Sequence, residues 1–201
     1  RRVNVMQAPK LTLFNGQTPG YDVLIAIPTP EDADDFFNGQ DDIGGMYQHS
    51  MRRLVARDIG GSLRHEFFHA LHYADMERTR QRHPLWLQEG LATLYEDYEI
   101  DAAGDIKFLP NDRQMLAKSR AKAGRLVKLN DLFAMNAEMF MDKAQQHYPQ
   151  VRSLFEYVAD VEHLHVRDPS RVGYVSQTTL SVDDTADVLE ARQHKYPTLA
   201  T

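Results

Sequence analysis

The segment HEFFH at residues 65–69 constrains the fold of this chain more than any other feature. It places two imidazoles four residues apart, and on a helix that spacing puts both rings on one face, one turn apart. Apolar residues recur around the segment at helical spacing, which predicts a packed helix over about residues 62–76 with Ser62 as its N-cap. The segment therefore predicts a helix that presents two metal ligands on one face.

A second segment, WLQEGLA, lies on a predicted helix over about residues 85–98 and offers Glu89 as a third ligand. Two His, one Glu and an open fourth position are typical of a catalytic zinc site, whereas structural sites are closed. Glu66 lies between the two His and can act as general base on a zinc-bound water. The sequence thus predicts one Zn²⁺ bound by His65, His69 and Glu89.

Asp75 is the alternative third ligand, because it follows His69 at the distance found in metzincins. That pattern needs a Gly at position 72, where the chain turns sharply, and this chain has His72 there. The comparison favours Glu89. His72 lies on the same face as the two His ligands, and whether it supports a ligand, faces a substrate or is only solvated stays open.

The two segments resemble the gluzincin metallopeptidases, and within them the peptidase MA-like proteins, over about residues 20–195. The resemblance implies an α+β fold of thermolysin-like type, in which a small N-terminal sheet packs on the zinc-binding helix and a mostly helical half follows. It implies one catalytic domain over residues 1–201, with the sheet in about 1–60 and the helices in about 61–201. It also implies an exported or cell-envelope protein.

A third segment, HYPQVRSLFEY, resembles the aminopeptidase branch of the gluzincins, in which a Tyr starts a helix of similar apolar pattern. The resemblance implies that Tyr148 hydrogen-bonds the oxyanion formed during hydrolysis of an amide. His147 is its rival as a donor. Support for the ligands is less evident, since the position one turn after Glu89 is Thr93, and Asp97 lies two turns on.

Composition bounds the possible partners. The 201 residues carry a net charge of −6, which argues against nucleic acid, and no apolar run is long enough to span a membrane. The chain has no Cys, which leaves His and carboxylates as metal ligands.

The sequence begins Arg-Arg-Val-Asn, from which we expect a processed form or an excised domain. Oligomeric state is not readable from the sequence.

The hydrophobic pattern predicts a small sheet followed by helices. Strands are expected over about residues 21–27, 46–49 and 53–57, a turn over 101–105, and further helices over 31–37, 112–122, 130–135, 144–160 and 183–192.

His163 and His165 alternate near the C-terminus. The sequence leaves open whether they form a second metal site or are simply exposed on the surface.

These features together predict a zinc-dependent hydrolase of peptide bonds, a metallopeptidase that acts on a peptide or protein. The strand at residues 44–48 carries Tyr47 where aminopeptidases of this type have an acid that binds the free amine of the substrate. An endopeptidase is therefore expected rather than an aminopeptidase. The alternative is an inactive metallopeptidase fold that serves as a binding or scaffold domain.

Overall fold

The computed structural model of the protein describes residues 13–14, 16–41, 43–103 and 105–159. The chain divides into two units, residues 1–159 and 160–201, and all described residues belong to the first. This unit is mixed α/β, with two small sheets and seven α-helices in its described part. The single domain expected over residues 1–201 stays a prediction.

Two expectations near the C-terminus and one in the middle of the chain fall on residues that the structure does not describe. They are the helix over 183–192, the possible metal site at His163 and His165, and the centre of the turn at Gly104.

The first sheet has three short strands, β1 (Leu24–Ala26), β2 (Gly45–Gln48) and β3 (Arg53–Ala56), in the order β1-β3-β2. β1 runs parallel to β3, and β2 runs antiparallel to it. β1 is shorter than the expected strand over 21–27. β2 forms an edge of this sheet, and its residues Gly45, Met46 and Tyr47 line the same cavity as the predicted metal ligands.

The central strand β3 is covered on both faces. Successive residues of a strand point to opposite faces, and three in a row, Leu54, Val55 and Ala56, are buried here. Leu54 and Ala56 pack against Leu63 of the metal-binding helix, whereas Val55 packs against helix α1 (Pro30–Phe36) on the other face. The sheet therefore fixes the position of the helix that carries both His ligands.

Helix α2 (Gly61–Thr79) carries the HEFFH segment and differs from the expectation at both ends. Its N-cap is Gly60, so the expected N-cap Ser62 lies inside the first turn. The helix continues beyond residue 76, because the charged residues that follow are good helix formers. It ends at Thr79, and Arg80 is its C-cap with φ 57°.

Helix α3 (Leu85–Leu94) carries Glu89 and begins after Pro84, as expected, but it ends four residues before the expected end. The chain then forms a hairpin of β4 (Tyr98–Ile100) and β5 (Ile106–Phe108). Backbone pairing across this hairpin satisfies N–H and C=O groups that a longer helix would otherwise have bonded.

Four further helices complete the described unit: α4 (Asp112–Lys122), α5 (Leu129–Phe133), α6 (Ala137–Asp142) and α7 (Ala144–Ala159). The helix expected over 112–122 is confirmed, and α7 agrees within one residue with the helix expected over 144–160. No helix in the described part of the chain is long and apolar enough to cross a membrane.

Trp86 and Gly90 of α3 face the helical half and not the metal-binding helix. Trp86 packs with Phe133 and Phe155, whose ring centroids lie 4.5 and 6.2 Å from its own. A Cβ on Gly90 would collide with the ring of Phe155 and lie 3.2 Å from Cβ of Val151. α3 therefore packs closely against α7, and this contact fixes the position of Glu89.

Candidate metal centre

Three side chains predicted as metal ligands come together in the structure. His65 and His69 from α2 and Glu89 from α3 are all buried, at 8, 7 and 7% exposure. Nε2 of His65 lies 3.1 Å from Nε2 of His69 and 3.2 Å from Oε2 of Glu89, and Nε2 of His69 lies 3.4 Å from the same oxygen. Zinc bonds of about 2.0–2.1 Å at tetrahedral angles separate ligand atoms by about 3.3 Å. The three atoms thus have the spacing of ligands around one ion.

This group can bind a metal ion, and within the described residues no other set of three or more His, Cys, Asp or Glu side chains has its ligand atoms as close. Asp75, the alternative ligand, is not part of the group. Its carboxylate pairs with Arg78 of the same helix. The geometry thus selects Glu89 over Asp75.

Charge is balanced locally in the metal-free group. Burial lowers the pKa of His65, but hydrogen bonds with Glu89 and Glu96 outweigh it and raise the pKa to about 10. Burial raises the pKa of Glu89, but His69 and His65 outweigh that effect and hold it below its usual range.

Glu66 lies beside the group without joining it. Its side chain is 7% exposed and packs against β2, where a Cβ on Gly45 would lie 2.6 Å from Cγ of Glu66. Burial raises the pKa of Glu66, although the neighbouring His65 and His69 and a backbone hydrogen bond from Tyr47 act in the opposite direction. A carboxyl with a raised pKa next to metal ligands is suited to accept and hold a proton.

Tyr148 approaches the group from α7. Its ring centroid lies 6.1 Å from that of His65, and its hydroxyl donates a weak hydrogen bond to Sδ of Met141 at 3.8 Å. Burial and the nearby Glu89 carboxylate raise the pKa of Tyr148 far above its usual range, so its hydroxyl remains protonated. Tyr148 sits inside α7, in its second turn, rather than at the helix start.

His147, the rival of Tyr148, does not reach the group. It is 1% exposed, and its Nδ1 lies 2.7 Å from the carbonyl oxygen of Phe140. His72 is also buried, and its Nε2 lies 2.6 Å from Nδ1 of His83. Both imidazoles therefore have packing roles outside the metal-ligand group.

The residues that support His65 differ from those expected. Thr93 donates its hydroxyl to the carbonyl oxygen of Gly90, and Asp97 pairs with Arg64 at 3.5 Å. Glu96 is the residue that contacts the ligand, since its Oε1 lies 2.9 Å from Nδ1 of His65. Such a carboxylate fixes the ring orientation of a metal-binding His.

Glu96 in turn binds Arg113 of α4, whose Nε lies 2.9 Å from Oε2 of Glu96. Sequence reasoning missed both residues. An acid seven positions after Glu89 is a signal for the first, but it points to the metal only because α3 ends at Leu94 and the chain turns back. Nothing in the sequence singles out Arg113.

A cavity of about 600 Å³ opens onto the metal-ligand group. β2, α2, α3, α4 and α7 all contribute to its wall. Its lining includes Tyr47, Glu66, Tyr73, Arg113, Met141 and Tyr148. A small molecule or a segment of a larger one could therefore reach the open side of the group.

Comparisons with known proteins indicate relatives that are named as reductases and not as metallopeptidases. No family model and no solved structure matches the chain. It is 57% identical to a protein of Ruegeria pomeroyi over 44 residues, which are 22% of this chain and 14% of that protein. It is 52% identical over 46 residues to one of Actinobacillus succinogenes and 51% over 47 residues to one of Cereibacter sphaeroides, in each case 23% of this chain and 15% of the relative. All three are named 4-hydroxy-3-methylbut-2-enyl diphosphate reductase.

These relatives contradict four expectations. The resemblance to gluzincin metallopeptidases, the function as a peptide-bond hydrolase, the class of zinc metallopeptidase and the description as a protease are wrong by this comparison, because the similar proteins are named as reductases. The error has a physical origin: HExxH with a distant Glu specifies a set of ligands around a metal, and the same set serves several reactions. The chain spans about one seventh of the length of these relatives.

Proposed function

We propose that the described unit is a zinc-binding domain that holds one ion through His65, His69 and Glu89. One observation carries this proposal: three buried ligand atoms from two helices lie 3.1 to 3.4 Å apart. Burying two imidazoles against a carboxylate is costly unless the charges are paired or bind a metal. The α+β class, a small sheet followed by helices, belongs to the same proposal.

Glu66 and Tyr148 give the open side of the site its chemistry. His65, His69 and Glu89 would hold the zinc ion, which would supply Lewis-acid chemistry at the open side of the site. Glu66, whose pKa burial raises, accepts and holds a proton there. Tyr148 keeps its proton and donates a hydrogen bond to an oxygen that gains negative charge in the cavity.

The relatives are named as reductases, which favours a second candidate in which the chain takes part in a reduction. The same ligands would then hold a redox-active metal, for which iron is the choice suited to them. Two His and one carboxylate with open positions are also the ligand set of non-haem Fe(II) enzymes. Iron changes oxidation state whereas zinc does not, and the chain has no Cys to hold an iron–sulfur cluster. Under this candidate the chain takes part in reduction of 4-hydroxy-3-methylbut-2-enyl diphosphate, the substrate in the relatives' name.

Metal analysis separates the candidates. Protein purified without oxygen and without added metal should contain about one zinc per chain, and iron in its place would favour the second candidate. Glu89→Gln should lose the metal, whereas Glu66→Gln should keep it, because Glu66 is not a ligand. Asp75→Asn is the matched control and should also keep it. A variant Glu89→Gln that binds zinc as well as the wild type would refute the proposed ligand set.

Incubation with the diphosphate and an electron donor tests the reductase candidate directly. The wild type should leave the diphosphate unchanged if the domain only binds zinc. Turnover that the Glu89→Gln substitution abolishes would establish the iron candidate instead.

A further inference from the structure

We infer that Arg113 is a positioning residue for the metal site, because it holds the carboxylate of Glu96 in the orientation that fixes the His65 imidazole. This inference rests on the proposed metal site, since His65 is one of its ligands. Arg113 itself touches no metal ligand through a hydrogen bond that the structure shows.

The chain of contacts is continuous and short. Nε of Arg113 donates to Oε2 of Glu96 at 2.9 Å, and Nδ1 of His65 donates to Oε1 of Glu96 at 2.9 Å. Each carboxylate oxygen of Glu96 thus has one charged or chargeable partner. The carboxylate cannot rotate without losing one of the two bonds.

The two partners differ in burial: Glu96 is 8% exposed, whereas the Arg113 side chain is 36% exposed. The buried carboxylate has little water to replace a lost partner, so removal of Arg113 leaves it poorly compensated. A carboxylate at Glu96 that accepts the Nδ1 proton of His65 leaves Nε2 free for a metal.

The guanidinium of Arg113 is itself fixed by a second contact. Its Cζ lies 5.0 Å from the centroid of the Tyr148 ring, a cation–π distance. The ring belongs to α7, whereas Arg113 is the second residue of α4 and Glu96 follows α3. Arg113 therefore joins three separate segments at the wall of the cavity.

The place of Arg113 in α4 is not explained by helix stability. A cation in the first turn of a helix opposes the helix dipole, and the last turn, where Arg120 and Lys122 lie, is the favourable end. Its contacts with Glu96 and Tyr148 account for Arg113 at this position.

The test is zinc affinity, measured by competition with a chelator. Arg113→Met should bind zinc about 10-fold more weakly than wild type, in the range seen for residues that support metal ligands. Arg113→Lys should fall between the two, because Lys keeps the charge but loses the planar fork. Lys118→Met removes an exposed cation from the same helix and should bind like wild type.

A double-mutant cycle shows whether Arg113 acts through Glu96. If it does, Arg113→Met combined with Glu96→Gln should weaken zinc binding by less than the product of the two single losses. Losses that multiply, or an Arg113→Met protein with wild-type affinity, would overturn the inference.

A metal-free measurement keeps the inference separate from the proposed function. The hydrogen-bonded Nδ1 proton of His65 should give a protected NMR signal in wild-type protein and in Lys118→Met. Arg113→Met should broaden or lose that signal through faster exchange, at unchanged far-UV circular dichroism. If wild type binds no metal, the proposed function fails, and this signal alone decides the inference: an unaltered signal in Arg113→Met overturns it.

Discussion

Oε1 of Glu96 lies 2.9 Å from Nδ1 of His65, so the group that orients the first His ligand comes from beyond the end of the helix that supplies Glu89. α3 stops at Leu94, and the turn that follows brings Glu96 back toward α2. Glu89, the third ligand, and Glu96, which orients His65, therefore lie within one short stretch of the chain.

The first prediction follows from this contact. Glu96→Gln should weaken zinc binding by about 10- to 100-fold, because the neutral amide accepts the Nδ1 proton less strongly and leaves the ring less well oriented. Asp97→Asn is the control, since Asp97 pairs with Arg64 and Asn111 and not with a ligand. Chelator competition measures both. Equal affinities for the two variants would mean that Glu96 does not support the site.

The second prediction concerns the close approach of β2 to Glu66. Gly45→Ala would place a Cβ 2.6 Å from Cγ of Glu66 and 3.0 Å from the carbonyl oxygen of Val55, so the strand or the side chain must move. We expect a loss of about 1–3 kcal/mol in the free energy of unfolding, as is usual for overpacking. Urea denaturation measures it.

Gly20→Ala is the matched control for this change, because nothing lies within 4 Å of the Cβ it would add. Its free energy of unfolding should stay within about 0.5 kcal/mol of wild type, as for most surface substitutions. A Gly45→Ala protein as stable as this control would show that β2 and Glu66 are not tightly packed.

The third prediction concerns Arg152, which is fully buried in α7. Its guanidinium donates to the carbonyl oxygens of Thr93 and Leu94, at the end of the helix that carries Glu89, and to that of Leu109 at 2.8 Å. Arg152→Met leaves these buried acceptors without donors and should cost roughly 2–5 kcal/mol of unfolding free energy.

Urea denaturation of the Arg152 variant in metal-free and zinc-loaded protein is the measurement. The same Arg→Met change at Arg82, which is exposed, serves as its control and should have little effect. An Arg152→Met protein that unfolds at the wild-type urea concentration would contradict the capping role.

The fourth prediction is a pH dependence of the metal-free protein. The folded state raises the pKa of His65 from 6.5 to about 10, so protonated His65 stabilises the fold fully below pH 6.5. That contribution is lost as pH rises through about 10. The urea midpoint of the metal-free wild type should therefore fall between pH 7 and 10 more steeply than that of His65→Gln.

Bound zinc should flatten this pH dependence, because the ion takes the place of the His65 proton. The comparison is made in the same buffers with and without one equivalent of zinc. Parallel curves for wild type and His65→Gln in metal-free protein would show that His65 carries no proton in the folded state.

Much of the candidate site could be predicted from local pattern. The spacing of His65 and His69 needs only a helix to place both rings on one face, and the apolar positions around them make that helix a packed one. Glu89 was predictable as a ligand from its segment, and Asp75 was discounted because His72 occupies the turn position. The structure selects the same residues, since Asp75 pairs with Arg78.

Helix ends, supporting contacts and the reaction were less predictable. Ser62 satisfies the sequence rule for an N-cap, yet the N-cap is Gly60, two residues earlier, and it makes no side-chain capping bond. Thr93 has a suitable spacing from Glu89, but its hydroxyl bonds within its own helix. The reaction was wrongly inferred, since a ligand set limits the metal but leaves the chemistry open.

The sequence by itself determined the residues that can bind a metal and the helices that carry them, because ligand chemistry and helical periodicity act over a few residues. Only the tertiary structure decided that Glu96 contacts His65, that Arg113 holds Glu96, and that the ring of Tyr148 lies beside His65 and Arg113. These side chains come from three segments that are separated by up to 52 positions along the chain. Their meeting depends on where α3 ends and on how closely α7 packs against Gly90, and such long-range contacts leave no periodic pattern in a single sequence.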